Sequence, residues 1–259
     1  ARLVHIGRPW APLAAFDLIV TTPQYFLPTA ANIVHNRLPM HRIDRAQVRT
    51  EAAALAPQLG GLKPPYTAVL LGGDSGPFVF TPAKGRRLAL QVNALIAAVG
   101  GSVLVTDSRR TPPGASAAFW AALGVPAWRH DWRDSTRPNP YRAYLGLADR
   151  FVLTGESMSM LAEAVAMGKP VHLFAMDDPG RWWLKIHNWR TKPLSHRLAM
   201  AFGPRRMRRD VARIQQDLVA RGLATWLDAP LSGDSLRADI DPGADVARAA
   251  ERVRALFKG

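Results

Sequence analysis

The sequence predicts an α/β fold organised around a doubly wound parallel sheet, and three observations carry that expectation. From residue 66 onward, short apolar strands alternate with helical stretches of about 10–18 residues, the pattern of a parallel sheet with helices on both faces. The strand Thr67-Ala-Val-Leu-Leu71 is continuously apolar rather than alternating, as expected where both sheet faces are covered. Glycine-rich or hydroxyl-rich turns follow several of these strands. In such sheets ligands gather outside the carboxyl ends of the strands, so those turns are where a site is sought.

Residues 2–6, 17–21 and 32–35 read as short buried strands joined by loops marked by Pro9, Pro12, Pro23 and Pro28. Asp44 to Ala56 reads as a helix, opened by Asp44 as N-cap and closed by Pro57 and Gly60-Gly61. Tyr66 to Leu71 is then a strand, and Thr81-Pro82 opens a long helix to about Val99. Strands at 102–106, 125–130, 151–154 and 170–174 alternate with helices at 113–123, 141–148 and 157–167, the last closed by Gly168. From Arg181 the tail reads as helical and rich in Arg, Lys and Trp, and Asp241-Pro-Gly243 sets off a final amphipathic helix, 244–257. The expected organisation is residues 1–43 as the remnant of an N-terminal α/β domain, 44–62 as a linker helix, and 63–232 as the ligand-binding domain. Residues 233–259 are expected to pack back on the N-terminal part.

The chain of 259 residues is long enough to bury a full core. It has no cysteine, which excludes disulfides, thiolate metal sites and a cysteine nucleophile. Its net charge of +14 favours anionic partners: nucleotides, phospholipid headgroups or nucleic acid. No apolar run approaches the roughly 20 residues that span a bilayer, and no basic, apolar leader opens the chain shown. The chain begins on Ala1 and reads as a strand at once, so residues are expected upstream of it.

Three segments carry candidate chemistry. In Leu71-Gly72-Gly73-Asp74-Ser75-Gly76-Pro77, directly after a strand, the glycines allow close backbone approach and expose N–H groups to a phosphate, and Ser75 adds a hydroxyl. A tight turn without a ligand is the alternative. Gly73-Asp-Ser-Gly76 resembles a trypsin-type nucleophile segment, but a strand followed by a long helix is the wrong context for that all-β fold. In Thr106-Asp107-Ser108-Arg109-Arg110-Thr111, the two adjacent arginines can offer planar, bidentate donors to phosphate oxygens, with Ser108 beside them as a further candidate contact. In the third segment a strand ends at Thr154, Gly155-Glu156-Ser157 turns the chain, and a helix begins. Thr154, Ser157, Ser159 and the free N–H groups there suit a diphosphate. Glu163, one to two turns in, can accept from a pair of ribose hydroxyls.

The Gly-Gly-x-Ser-Gly loop, followed by Gly155-Glu-Ser-Met-Ser-Met-Leu-Ala-Glu163 and Gly168-Lys-Pro-Val171, resembles the Rossmann-type C-terminal domain of GT-B glycosyltransferases. That resemblance implies that Ser157, Met158 and Ser159 hold the donor diphosphate and Glu163 the ribose. More closely, the chain resembles the bacterial relatives of the plant "elongated mitochondria" fission family. The segments carrying this are His5-Ile-Gly-Arg-Pro9, Phe16-Asp-Leu-Ile-Val-Thr-Thr-Pro-Gln-Tyr25, Leu70-Leu-Gly-Gly-Asp-Ser-Gly76 and Val105-Thr-Asp-Ser-Arg-Arg-Thr-Pro112. The resemblance implies a GT-B-like fold whose N-terminal domain, in such enzymes the source of the acceptor site and usually the catalytic base, is only partly present. No catalytic residue is therefore assigned.

The reading that follows is a glycosyltransferase-like protein binding a nucleotide sugar as donor substrate, with no cofactor and no metal. A non-catalytic interaction scaffold and a nucleotide-sugar epimerase are the alternatives. Thr21-Thr22-Pro23-Gln24-Tyr25 is a further segment able to face an interdomain cleft. The basic, Trp-rich stretch from Arg181 to Arg209 suits an anionic membrane surface, with packing of its tryptophans on the core as the bland alternative. Nucleic acid is disfavoured for want of a recognition motif. The expected location is cytoplasmic, peripheral at the inner membrane.

Overall fold

The structure is a computed structural model and describes residues 1–178, 191–205, 208–230 and 243–258. Two parallel sheets organise these residues. The first has three strands, β1 (Val4–Ile6), β2 (Leu18–Thr21) and β3 (Ile33–His35), in the order β1-β2-β3. All four residues of β2, the central strand, are buried. The last helix, α8 (Ala244–Ala255), lies on this sheet and packs Ala249 against Leu18, Val20 and Val34. The Asp245 carboxylate fixes its approach by accepting the N–H groups of Arg37 and Leu38.

The crossing between sheets is made by α1 (Arg45–Leu55). The Asp44 carboxylate caps it, accepting from Ala46 N at 2.8 Å, which satisfies one of the donors a helix start leaves open. α1 does more than link. It packs on α4 (Tyr141–Leu147) so closely that a Cβ on Gly146 would stand 2.7 Å from Ala52 Cβ, and Val48 joins the main core.

The second sheet holds six parallel strands: β4 (Tyr66–Leu70), β5 (Ser102–Thr106), β6 (Ala127–His130), β7 (Arg150–Thr154), β8 (Val171–Phe174) and β9 (Thr225–Trp226). Their order is β6-β5-β4-β7-β8-β9. The chain builds outward from β4 through β5 to β6, then returns to the other side of β4 to lay down β7, β8 and β9. This reversal is the doubly wound order in which ligands sit at the switch point, here between β4 and β7. Alternate residues feed two cores. Ala68, Leu70, Phe151 and Leu153 face α1, α4, α5 (Met158–Ala166) and α7 (Ala212–Ala220). Val69, Leu71, Val103 and Val105 face α2 (Pro82–Val99) and α3 (Pro113–Ala122). Each fully buried Val, Leu or Phe side chain contributes about 1.5–3 kcal/mol, so the carboxyl ends of β4 and β7 emerge directly from the packed cores.

The tail departs from the expected all-helical character. After α6 (Pro193–Phe202) and α7, Thr225–Trp226 forms β9, paired in register with His172 and Leu173 of β8, and Leu227 N donates to Leu173 O at 2.9 Å. Two residues carry no periodicity of their own. The open edge of β8 decides their conformation, in the way tertiary context overrides local preference.

Candidate functional site at the switch point

The turns after β4, β5 and β7 enclose a cavity of about 660 Å³. Its polar lining is contributed by Ser75, Ser108, Arg109, Arg110, Ser157 and Ser159, with Glu156 and Glu163. The local folding of these turns explains the arrangement. The Thr111 hydroxyl accepts from Ser108 N at 2.9 Å and donates to Leu71 O at 3.0 Å, tying the turn after β5 to the end of β4. Asp107 accepts from Trp132 N at 2.8 Å and from the Ser116 hydroxyl at 3.2 Å, which ties in the turn after β6.

The glycine loop works differently from the sequence expectation. Its amides do not face the cavity. Gly72 N donates to Thr154 Oγ1 at 2.9 Å and Gly73 N to Glu156 Oε1 at 2.7 Å. Neither glycine has a positive φ. Both are glycine because neighbours press on them: a Cβ on Gly72 would lie 2.0 Å from Glu156 Oε1, and one on Gly73 would lie 2.0 Å from Arg110 O. The loop therefore interlocks with the turns after β5 and β7, and this interlock sets the floor of the site. Gly76 does take a positive φ, +55°, beside the His196 ring. Gly155 bonds its N–H to Phe174 O at 3.1 Å and its carbonyl to Gln215. Gly72, Gly73, Gly76, Thr154 and Gly155 thus stand outside the lining.

Glu156 is the buried centre of this interlock, 1% exposed. Burial pushes its carboxyl above the usual range, opposed by the Gly73 N–H, the Thr154 hydroxyl and the Arg110 guanidinium 3.7 Å away. Ser157 occupies the N-cap position of α5 but makes no side-chain cap bond. Its hydroxyl accepts instead from Arg110 Nη2 at 3.1 Å. The first N–H groups of a helix have no partner within it, so α5 opens into the cavity with its amides uncapped and an arginine fixed beside them.

Glu163, a turn and a half further along, lines the same cavity. Its Oε2 accepts from the Tyr141 hydroxyl at 2.5 Å, and burial, then the Glu163 charge, hold that phenol far above its ordinary range as a permanent donor. Asn139 Oδ1 in turn accepts from Tyr141 N at 2.9 Å. Trp132, Asn139, Tyr141 and Arg209 join the lining, and the sequence had named none of them as a ligand contact. Trp132 and Asn139 follow β6 at the carboxyl edge of the sheet, so the rule that located the other turns also covers them. Arg209 carries no such signal. It arrives from the connection between α6 and α7.

A second cavity of about 190 Å³ adjoins, lined by Thr21 at the end of β2 and by Thr22, Gln24 and Asn36 in the turns after β2 and β3. Met158, Ser159 and Arg209 line both cavities, so they meet at the start of α5. The Thr21–Tyr25 segment does face the space between the sheets. Of the basic stretch Arg181 to Arg209, residues 181–190 and 206–207 lie outside the described residues. Arg209, counted in that tail, turns into the cleft, where its Nε donates to Gln24 Oε1 at 3.1 Å. No described helix is long and apolar enough to cross a membrane.

Fold and site define a doubly wound α/β protein with an open, arginine-flanked cleft at the switch point of its larger sheet. The chain belongs to the mitochondrial fission ELM1 family, whose model matches residues 1–257. Mitochondrial fission protein ELM1 of Arabidopsis thaliana is 26% identical over 197 residues, 68% of this chain and 46% of that protein. Uncharacterized protein RP120 of Rickettsia prowazekii is 27% identical over 110 residues, 42% of this chain and 31% of that protein. The matches thus span less than half the length of either relative. Among solved structures, the wall teichoic acid polymerase TagF aligns over 95% of this chain and 59% of its own, at 11% identity and a TM-score of 0.37.

Proposed function

We propose that this chain binds a nucleotide sugar in the switch-point cavity and acts as the donor-binding part of a glycosyltransferase. The observation that carries this reading is the uncapped start of α5, with Arg110 locked to Ser157 at 3.1 Å beside it. A diphosphate there would accept backbone N–H bonds and gain about 0.3–1 kcal/mol from the helix dipole. Charge-assisted hydrogen bonds from Ser157, Ser159 and the arginines would add about 1.5–3 kcal/mol each. Glu163, with one carboxylate oxygen held by Tyr141, keeps the other for a ribose hydroxyl. In transfer, negative charge grows on the leaving diphosphate, and preorganised amides and guanidinium groups are what stabilise such charge. The smaller cavity on the first-sheet side would then receive the acceptor.

Calorimetric titration with UDP, GDP and ADP tests the reading. One of them should bind in the micromolar range, and Glu163→Ala should weaken it about tenfold, or 1.4 kcal/mol. No binding of any of the three would refute the donor-site reading and favour an interaction scaffold.

A further inference from the structure

Arg209 stands where the two cavities meet, and it is the residue through which the first sheet touches the larger cavity's arginine set. Its position is built from several directions. Gln24, 2% exposed, accepts from Arg209 Nε at 3.1 Å, and its own carboxamide nitrogen donates to Thr22 Oγ1 at 3.0 Å. That second bond fixes which way the Gln24 amide points, leaving its oxygen toward Arg209. The backbone is pinned as well: Asp210 N donates to Gln24 O at 2.9 Å, and the Arg209 carbonyl lies 3.1 Å from His196 Nε2. Arg8 reaches across to both Tyr25 O and Arg205 O, closing the same seam from the other side. The Arg209 guanidinium also sits 6.0 Å from the Tyr25 ring centroid. A long, flexible side chain loses about 1.5–2 kcal/mol of rotamer freedom when fixed. An anion-binding arginine gains from such fixation, because its fork is then preorganised.

We propose that Arg209 is the third guanidinium of the anion site, with Arg109 and Arg110, and that Gln24 is its positioning residue. The first sheet thereby sets the affinity of the second sheet's cavity for a diphosphate. Arg209's role rests on the nucleoside diphosphate reading of the same cavity, and inorganic pyrophosphate separates the two. Gln24 touches no ligand in this scheme. It acts through Arg209, so its effect vanishes once the guanidinium is gone.

The experiment is calorimetric titration of the whole chain with UDP and with inorganic pyrophosphate, for wild type, Arg209→Ala, Gln24→Leu and the double variant. Thermal melts verify that each is folded. Arg209→Ala should weaken both ligands tenfold or more (about 1.4 kcal/mol) and Gln24→Leu about fivefold, and the double variant should be no weaker than Arg209→Ala within twofold. That lack of additivity is what a merely structural Gln24 would not produce. Unchanged affinity in folded Arg209→Ala overturns the proposal, and independent, additive losses overturn the Gln24 part of it. If wild type binds pyrophosphate but no nucleotide, and Arg209→Ala loses it, the nucleotide reading falls while the role of Arg209 stands. Should Gln24→Leu fail to fold, Arg209→Ala alone decides the anion role, and Gln24→Glu, which keeps the acceptor, tests the coupling.

Discussion

Gly72→Ala is the substitution that most sharply distinguishes an interlocked glycine loop from a flexible one. The added methyl would stand 2.0 Å from Glu156 Oε1 and 2.5 Å from Thr154 Oγ1, both buried at 1% exposure or less. Overpacking of this kind costs about 1–3 kcal/mol. Relief requires Glu156 to move, which weakens its bond with Gly73 N, a buried hydrogen bond worth about 0.5–1.5 kcal/mol net. The expected loss is therefore about 3 kcal/mol, a large share of the 5–15 kcal/mol that stabilises a typical domain. In a urea titration followed by circular dichroism, the midpoint should fall by at least about 1 M, given slopes of about 1–3 kcal/mol per molar. Gly114→Ala is the control: the nearest heavy atom to its new Cβ is Pro82 Cγ at 3.4 Å, within α3, so stability should hold or rise. A midpoint for Gly72→Ala within about 0.2 M of wild type would refute the interlock.

Tyr141→Phe removes the donor that holds Glu163 Oε2. Affinity for a ribonucleoside diphosphate should drop about three- to tenfold while that for pyrophosphate stays put, and an equal loss for both would sink the assignment of Glu163 to the ribose. Glu156 gives a pH signature. Burial raises its folded-state pKa above the unfolded value, so the native state binds more protons wherever the two differ. Its contribution to stability is then full below the unfolded pKa and is lost as pH rises through the folded one. The stability difference between wild type and Glu156→Gln, measured by urea unfolding across that range, should move against wild type as pH rises. A difference that is flat or moves the other way would contradict the buried, desolvated placement of this carboxyl.

Much of the fold was legible because it is written in local, repeated signals. Asp44 and Thr81 cap the helices that follow them, the positive φ of Gly168 follows the end of α5, and the apolar run 67–71 becomes the central strand. The turn that opens into the candidate site was legible for a related reason: Gly155-Glu-Ser-Met-Ser marks both a strand end and a helix start. What escaped the sequence depends on contacts far along the chain. The glycines at 72 and 73 looked like ligand-facing amides, since nothing local reveals that Thr154 and Glu156, about eighty residues on, take those N–H groups. Nothing local reveals either that the Ser157 hydroxyl, at the N-cap position of α5, is taken by Arg110. β9 and Arg209 owe their places to an open strand edge and to Gln24 in the turn after β2.

A diphosphate bound at the start of α5 would lie against the amides of Met158, Ser159 and Met160, whose resonances report on it. In a 15N-labelled sample titrated with UDP, and separately with uridine, those amides should shift strongly with UDP and hardly at all with uridine. UDP-dependent shifts that leave these three amides unmoved would place the ligand elsewhere and rule out a diphosphate at the start of α5.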